Sequence, residues 1–174
     1  MKKKYLVGEN IEYSLSPKIY KMLGVECDIK NISSEEDLAN FIQKKDFAGF
    51  NVTIPYKEKV IKYLDEVSEI VKKTQVVNTV KNDNGKLVGY NTDYYGIMES
   101  FGKVNFKNKK TLILGSGATS KTFSEYCRTQ GCEPIIISRK CEQNNYNNIA
   151  NHYDANIVVN TTPVAGANMP KEIP

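Results

Sequence analysis

The run Thr111-Leu112-Ile113-Leu114 passes directly into Gly115-Ser116-Gly117-Ala118-Thr119, and from about Thr119 to Gln130 the pattern is helical. Gly131 stops that helix, and Pro134 to Ser138 supplies a second apolar run. Strand, glycine turn, helix and strand in this order make a βαβ unit, whose crossover forces the two strands parallel. Ile157 to Asn160 adds a further parallel strand. Parallel strands are buried on both faces, so this half of the chain is expected to be a layered α/β structure.

The residues before it alternate strand and helix as well. Lys4 to Gly8 reads as a short strand. Ser16 is expected to cap a helix that has Pro17 at its first position and ends at Gly24, after Ile19, Tyr20 and Leu23. Ser33 followed by Glu36 forms a capping-box pattern ahead of Leu38, Phe41 and Ile42, which share one helical face. Phe47 to Val52 is the next strand, and Pro55 is expected to open a helix carrying Val60, Ile61 and Leu64, with Lys57 in its first turn. Val76 to Val80 and Lys86 to Tyr90 flank Asn82-Asp83-Asn84-Gly85, where Asn-Gly signals a hairpin. A mixed sheet with helices on its faces follows for this half. Asp93 begins an amphipathic segment, Tyr94 to Phe101, and the polar, basic stretch Gly102 to Lys110 suits a domain boundary.

With 25% charged and 40% hydrophobic residues the chain falls in the range of soluble globular proteins. Its net charge of +4 is spread over dispersed lysines, which argues for solvated faces and against a nucleic-acid surface. Glu9, Asn10 and Glu12 interrupt what Lys2-Lys3-Lys4 would need to become a signal peptide. No run approaches the roughly 18 to 20 apolar residues of a membrane span, so no membrane partner and a cytoplasmic location are the expectation. Cys27, Cys127, Cys132 and Cys141 form no C-x-x-C pair, and His152, in an asparagine-rich stretch, is the single histidine. The expectation is reduced thiols and no metal.

The clearest chemistry is phosphate binding. A tight glycine turn lets backbone N–H groups approach a pyrophosphate, and the helix N-terminus adds positive potential. Gly115 and Gly117 meet the first two requirements of G-x-G-x-x-G, whereas Ser120 replaces the third glycine. Alone this pattern is weak; the strand before it, the helix after it and Ser138-Arg139 beyond the second strand strengthen it. An acidic residue at that place would bind a ribose 2′-hydroxyl, while Arg139 offers a bidentate contact to a 2′-phosphate, so NADP is favoured over NAD. An ordinary exposed arginine after a strand is the competing reading.

Small hydroxyl and amide groups cluster where loops begin: Ser14-Leu15-Ser16-Pro17, Asn51-Val52-Thr53-Ile54-Pro55-Tyr56-Lys57, Val77-Asn78-Thr79 and Asn91-Thr92-Asp93. Together they describe a pocket for a small, hydroxyl-rich molecule. Lys57 and Asp93 are the acid–base candidates in it, since reduction of a ketone needs a proton at oxygen that an ammonium supplies. A nearby carboxylate favours the charged form of a lysine and burial the neutral form, so such a pair is tuned by two opposing effects. Taken singly, Lys57 reads as a solvated lysine like Lys59 and Lys62, Asp93 as a helix N-cap, Ser16 as a cap, and Thr53 and Asn78 as satisfied polar groups at strand ends.

These motifs, with Asn160-Thr161-Thr162-Pro163, stand in the order and close to the spacing of the shikimate dehydrogenase family, which the chain resembles from about residue 5 to its last residues. The resemblance implies a two-domain α/β protein: a mixed-sheet, shikimate-binding catalytic domain over residues 1–101 and a shortened Rossmann-like NADP-binding domain over 102–174. It implies reversible, NADP-dependent reduction of 3-dehydroshikimate to shikimate in aromatic amino-acid biosynthesis. Lys57 and Asp93 match the family's catalytic lysine and aspartate. Ser14, Ser16, Asn51, Thr53, Asn78 and Asp93 match substrate-binding positions, and Gly115, Ser116, Gly117, Ala118, Thr119, Ser138, Arg139 and Thr161 the cofactor site. The alternatives are a quinate/shikimate dehydrogenase, which paired Ser14 and Ser16 disfavour, and a truncated substrate binder without turnover; a homodimer is compatible with either. Twenty residues separate Arg139 from Asn160, fewer than the family usually has, which predicts a lost part of a helix or strand. Val164-Ala165-Gly166-Ala167-Asn168-Met169 carries extra residues against the family's Gly-Met continuation, and the family's sequence runs well beyond Pro174.

Overall fold

The computed structural model describes residues 2–163; the Val164 to Met169 insertion lies outside them. The chain divides into two compact units, Met1–Thr92 and Asp93–Pro174.

In the first unit, strands β1 (Lys4–Gly8), β2 (Asp28–Asn31), β3 (Gly49–Val52), β4 (Glu66–Val67), β5 (Thr79–Asp83) and β6 (Lys86–Tyr90) form one mixed sheet in the order β2-β1-β3-β5-β6-β4. β1 pairs parallel with both β2 and β3, and β5 antiparallel with β3 and β6. The β5–β6 turn is the expected hairpin: Asn84 and Gly85 both take positive φ, +53° and +96°, and the Asn82 side chain accepts from Gly85 N–H at 2.8 Å. One face of this sheet carries the core, in which Val7, Phe50, Val52 and Val80 meet Leu38 and Ile42 of α2 (Glu35–Lys44). Phe41 bridges Tyr5, Phe47 and Phe50 with ring centroids 5.0–5.4 Å apart in that cluster.

Three helix starts differ from expectation. α1 (Ser16–Met22) has Leu15 as its N-cap with no side-chain cap, because the Ser14 hydroxyl, two residues earlier, takes the Ser16 N–H at 3.2 Å. α2 is capped by Ser34, not Ser33: Ser34 is the extended residue, and its Oγ accepts from Asp37 N–H at 3.0 Å while donating to the Asp37 carboxylate at 2.7 Å. Pro55 opens no α-helix. The chain first turns at Thr53, whose carbonyl accepts from Tyr56 N–H at 2.9 Å, and buries Tyr56 with its hydroxyl on the Ile32 carbonyl. Only a 3₁₀ segment, Lys59–Tyr63, follows, so Lys57 sits in the turn ahead of it. A short α3 (Glu69–Thr74) leads back to the sheet.

In the second unit α4 (Asp93–Phe101) packs on α5 (Ala118–Thr129), with Tyr94 Oη 3.2 Å from Thr129 Oγ1 and its ring against Tyr126. The strands β7 (Thr111–Leu114), β8 (Ile135–Ile137) and β9 (Ile157–Asn160) are all parallel in the order β8-β7-β9. β7 is buried along its whole length, as a central parallel strand requires. Between β8 and β9 the chain forms a 3₁₀ segment, Tyr146–His152, held by an Asn145–Asn148 capping box. The α/β class, with a mixed sheet and a parallel sheet, matches the expectation.

Candidate active site

Backbone hydrogen bonds gather the polar clusters of the first unit at one end of its sheet. Val52 N–H donates to the Asn78 carbonyl at 2.8 Å, Thr53 N–H to Val7 at 2.8 Å, and Val77 N–H to the Lys57 carbonyl at 2.8 Å. The end of β3, the turn that carries Lys57 and the segment that carries Asn78 are thereby fixed side by side. Lys57 and Thr53 are half-buried, whereas Lys59 and Lys62 are exposed, and both pair with Glu35. The structure thus separates Lys57 from the solvated lysines that follow it.

Side chains then link these segments. The Asn51 amide donates to the Asn78 carbonyl at 3.2 Å and to Thr79 Oγ1 at 2.9 Å, while its Oδ1 accepts from the Tyr20 hydroxyl. Asn78 is buried; its Nδ2 donates to Thr92 Oγ1 at 2.9 Å and its Oδ1 accepts from Thr92 N–H at 2.8 Å. Ser14 and Ser16 lie with their hydroxyls 3.3 Å apart at the start of α1. Sequence reasoning passed over Tyr20 and Thr79 as members of this network. Thr79 and Thr92 stand inside the quoted motifs, but Tyr20 sits among helical apolar positions and only the folded chain reveals its partner. Tyr20, Asn51 and Thr79 also line a cavity of about 210 Å³ on this face of the sheet. Asp93 opens α4 in the second unit and is half-buried.

The second unit gathers its candidates at the carboxyl ends of its strands, where ligands of open α/β sheets bind. Gly115 has φ +106°, and a Cβ there would meet Thr161 Oγ1 at 2.9 Å and Thr162 Cγ2 at 3.3 Å, so only glycine fits. Gly117, the N-cap of α5, has no heavy atom of the described residues beyond its chain neighbours within 4 Å of where its Cβ would stand. Thr161 returns both its N–H and its hydroxyl to the Leu114 carbonyl, closing the β9 loop onto β7. The Ser138 hydroxyl donates to Ser116 Oγ at 3.1 Å and accepts from Lys140 N–H at 3.1 Å, joining the loops after β7 and β8 and leaving Arg139 exposed beside them. Ala118 and Thr119 form the first turn of α5, and Ser120, at the third-glycine place, is fully buried. A tight turn, an open glycine at a twelve-residue helix N-terminus and an exposed arginine fit a phosphorylated dinucleotide in this unit.

All four cysteines are free; Cys127 and Cys132 are buried, and burial pushes the Cys127 thiol up to about 12, which makes it an unreactive core group. Among the described residues no cluster of histidine, cysteine and carboxylate side chains could hold a metal ion, and no helix is long and apolar enough to cross a membrane.

The model of the shikimate dehydrogenase substrate binding domain matches residues 6–80. The chain is 38% identical over 152 residues to a shikimate dehydrogenase (NADP(+)) of Caldicellulosiruptor bescii, covering 80% of this chain and 53% of that protein. It is 36% identical over 191 residues to a shikimate dehydrogenase (NADP(+)) of Clostridium botulinum strain Hall, covering 97% of this chain and 74% of the relative. The chain therefore spans about half the length of the first relative and about three-quarters of the second. Among solved structures, shikimate dehydrogenase 1 from Peptoclostridium difficile superposes with a TM-score of 0.88 at 30% identity, over all of this chain and 72% of that one.

Proposed function

Because this chain belongs to the shikimate dehydrogenase family, we propose that it takes part in the reversible, NADP-dependent reduction of 3-dehydroshikimate to shikimate. The observation that carries this reading is the set of polar groups fixed together at one end of the first sheet, Asn51, Thr53, Lys57 and Asn78. They lie in a segment that matches the substrate binding domain. Fixed donors and acceptors of this kind select a hydroxyl-rich substrate by leaving a buried group unpaired when a hydroxyl is missing. Ser14, Ser16 and Thr53 present hydroxyls to the same ligand, and Asn78 presents an amide held in one orientation by Thr92.

In this proposal the Lys57 ammonium delivers a proton to the substrate ketone oxygen and stabilises the negative charge that develops there. Asp93 is assigned, as the family's aspartate, to accept a hydrogen bond from a substrate hydroxyl. Gly115, Ser116, Gly117, Ala118, Thr119 and Thr161 would hold the dinucleotide's diphosphate region, with Ser138 and Arg139 on the 2′-phosphate. When bound, NADPH supplies the hydride that reaches the substrate carbon. A cytoplasmic setting and a homodimer belong to the same proposal.

The test is NADPH consumption with 3-dehydroshikimate, beside shikimate titration of the same chain. Lys57→Ala is expected to keep the fold and shikimate binding while turnover falls on the order of 10²-fold or more, and Asp93→Asn to show a comparable loss. Near-normal kcat in Lys57→Ala would remove the lysine from the chemistry. Shikimate binding without any NADPH consumption by the unaltered chain would leave a binding module in place of an enzyme.

A further inference from the structure

We infer that Tyr20 is a positioning residue of the proposed substrate site, acting through Asn51 and Thr79 on the side-chain amide of Asn78. The inference rests on the shikimate reading for its ligand, but not for its geometry, which lies wholly within the first unit.

From Tyr20 to Asn78 the hydrogen bonds run in one direction. A phenol donates to Asn51 Oδ1, so that oxygen is committed to α1 and the Asn51 NH2 must face the other way. There it donates to Thr79 Oγ1 at 2.9 Å and to the Asn78 carbonyl at 3.2 Å. The Thr79 hydroxyl, which accepts from Asn51, donates its own hydrogen to Asn78 Oδ1 at 3.1 Å. That same oxygen accepts from Thr92 N–H at 2.8 Å, and the Asn78 Nδ2 donates to Thr92 Oγ1 at 2.9 Å. The chain of bonds begins on a short helix, crosses β3 and β5, and ends at Thr92, the residue before Asp93.

Tyr20 and the Asn78 carbonyl together set the polarity of Asn51, which presents a donor to Thr79. An asparagine amide can be rotated by half a turn with little change of shape, which exchanges donor and acceptor. Without the Tyr20 hydroxyl, only the Asn78 carbonyl, an acceptor 3.2 Å away, keeps the Asn51 NH2 on the Thr79 side. If Asn51 turned its oxygen there, the threonine hydrogen would be drawn away from Asn78. Burial pushes the Tyr20 phenol above its ordinary value, so it remains a donor through the neutral range. Thr92 N–H also holds Asn78 Oδ1, and the expected effect of losing the relay is therefore a weakening of substrate binding and not its abolition.

The experiment uses the ¹⁵N-labelled 174-residue chain and the variants Tyr20→Phe, Thr79→Val and Thr79→Ser. In Tyr20→Phe the side-chain amide signals of both Asn51 and Asn78 are expected to shift, and shikimate to bind about fivefold to tenfold more weakly, the loss of roughly one neutral hydrogen bond. Thr79→Val is expected to move the Asn78 signal and weaken shikimate to a similar extent, whereas Thr79→Ser, which keeps the hydroxyl, restores both. An Asn78 signal that stays in place in Tyr20→Phe overturns the relay. So does unchanged shikimate affinity in a variant whose Asn78 signal has moved. If the unaltered chain fails to bind shikimate, the substrate reading falls, and the positioning of Asn78 by Tyr20 is decided by the amide signals alone.

Discussion

Gly115 and Gly117 stand two residues apart and face opposite demands, which makes them a matched pair of probes. An alanine at Gly115 must accept φ +106° and a Cβ pressed on Thr161 and Thr162, so Gly115→Ala is expected to destabilise the second unit by about 1–3 kcal/mol. At Gly117 the backbone is ordinary, with φ −83°, and among the described residues nothing crowds the missing Cβ. Gly117→Ala is therefore expected to leave the thermal midpoint unchanged and to weaken NADPH binding, because its methyl group intrudes where a diphosphate would lie. Equal loss of stability in the two variants would contradict the assignment of Gly117 to the ligand. Arg139→Asp places a like charge against the 2′-phosphate, so NADPH should weaken more than NADH in paired titrations, narrowing or reversing the preference; unchanged affinities for both would sink that role. The tight glycine turn at Gly115 was legible from sequence because its meaning is local, set by neighbours one to five residues away. Tyr20 was not, since its partner Asn51 lies 31 residues along the chain and only the packing of α1 on β3 joins them.

At the scale of elements, β1, β6, β7, β9 and the hairpin turn followed their sequence signals, while β2 and β4 were not read as strands, β5 begins three residues later than expected, and helix starts drifted by one to four residues. The cause is competition among capping groups. Two serines precede α2, and the one with extended backbone captures Asp37 N–H; Ser14 outcompetes Ser16 by reaching forward to its N–H. After Pro55 the burial of Tyr56 takes precedence over helical propensity. The junction between the 3₁₀ segment and β4 shows how a single carboxylate fixes such an irregular connection. Asp65 accepts from Leu87 N–H at 2.7 Å and lies 3.7 Å from Lys45, and the Leu87 bond, ahead of the lysine, holds its carboxyl below the ordinary value of 3.8. A depressed carboxylate contributes stability above the unfolded value and loses it as pH falls through the folded one. Asp65→Asn is thus expected to melt below the unaltered chain at neutral pH, with the gap closing as the pH is taken below 3.8. A gap that stays constant from neutral to acid would show that the charge is without consequence there.

For the molecule as a whole, the question the fold raises is where one domain ends. Every residue of the large apolar cluster, from Tyr5 to Leu87, belongs to the first unit, so its core closes without help from later residues. The sequence placed the boundary after α4, at residue 101, because the polar stretch that follows has the composition of a linker. In the structure α4 turns Tyr94 to Tyr126 and Thr129 of α5 and Phe101 to Phe123, with ring centroids 5.0 Å apart in the last pair. Composition marks where a chain is solvated, not which core an amphipathic helix joins, and α4 had an apolar face with two halves to choose between. The expected consequence is that pieces covering residues 1–92 and 1–101 both fold cooperatively and share one unfolding midpoint, as an independent domain does when a helix that packs elsewhere is removed. Hydrogen exchange should protect β1, β3 and β5 in both pieces and leave residues 93–101 of the longer one unprotected. A higher midpoint for the longer piece, with protection running through Tyr94 to Phe101, would return α4 to the first domain and place the boundary at residue 101.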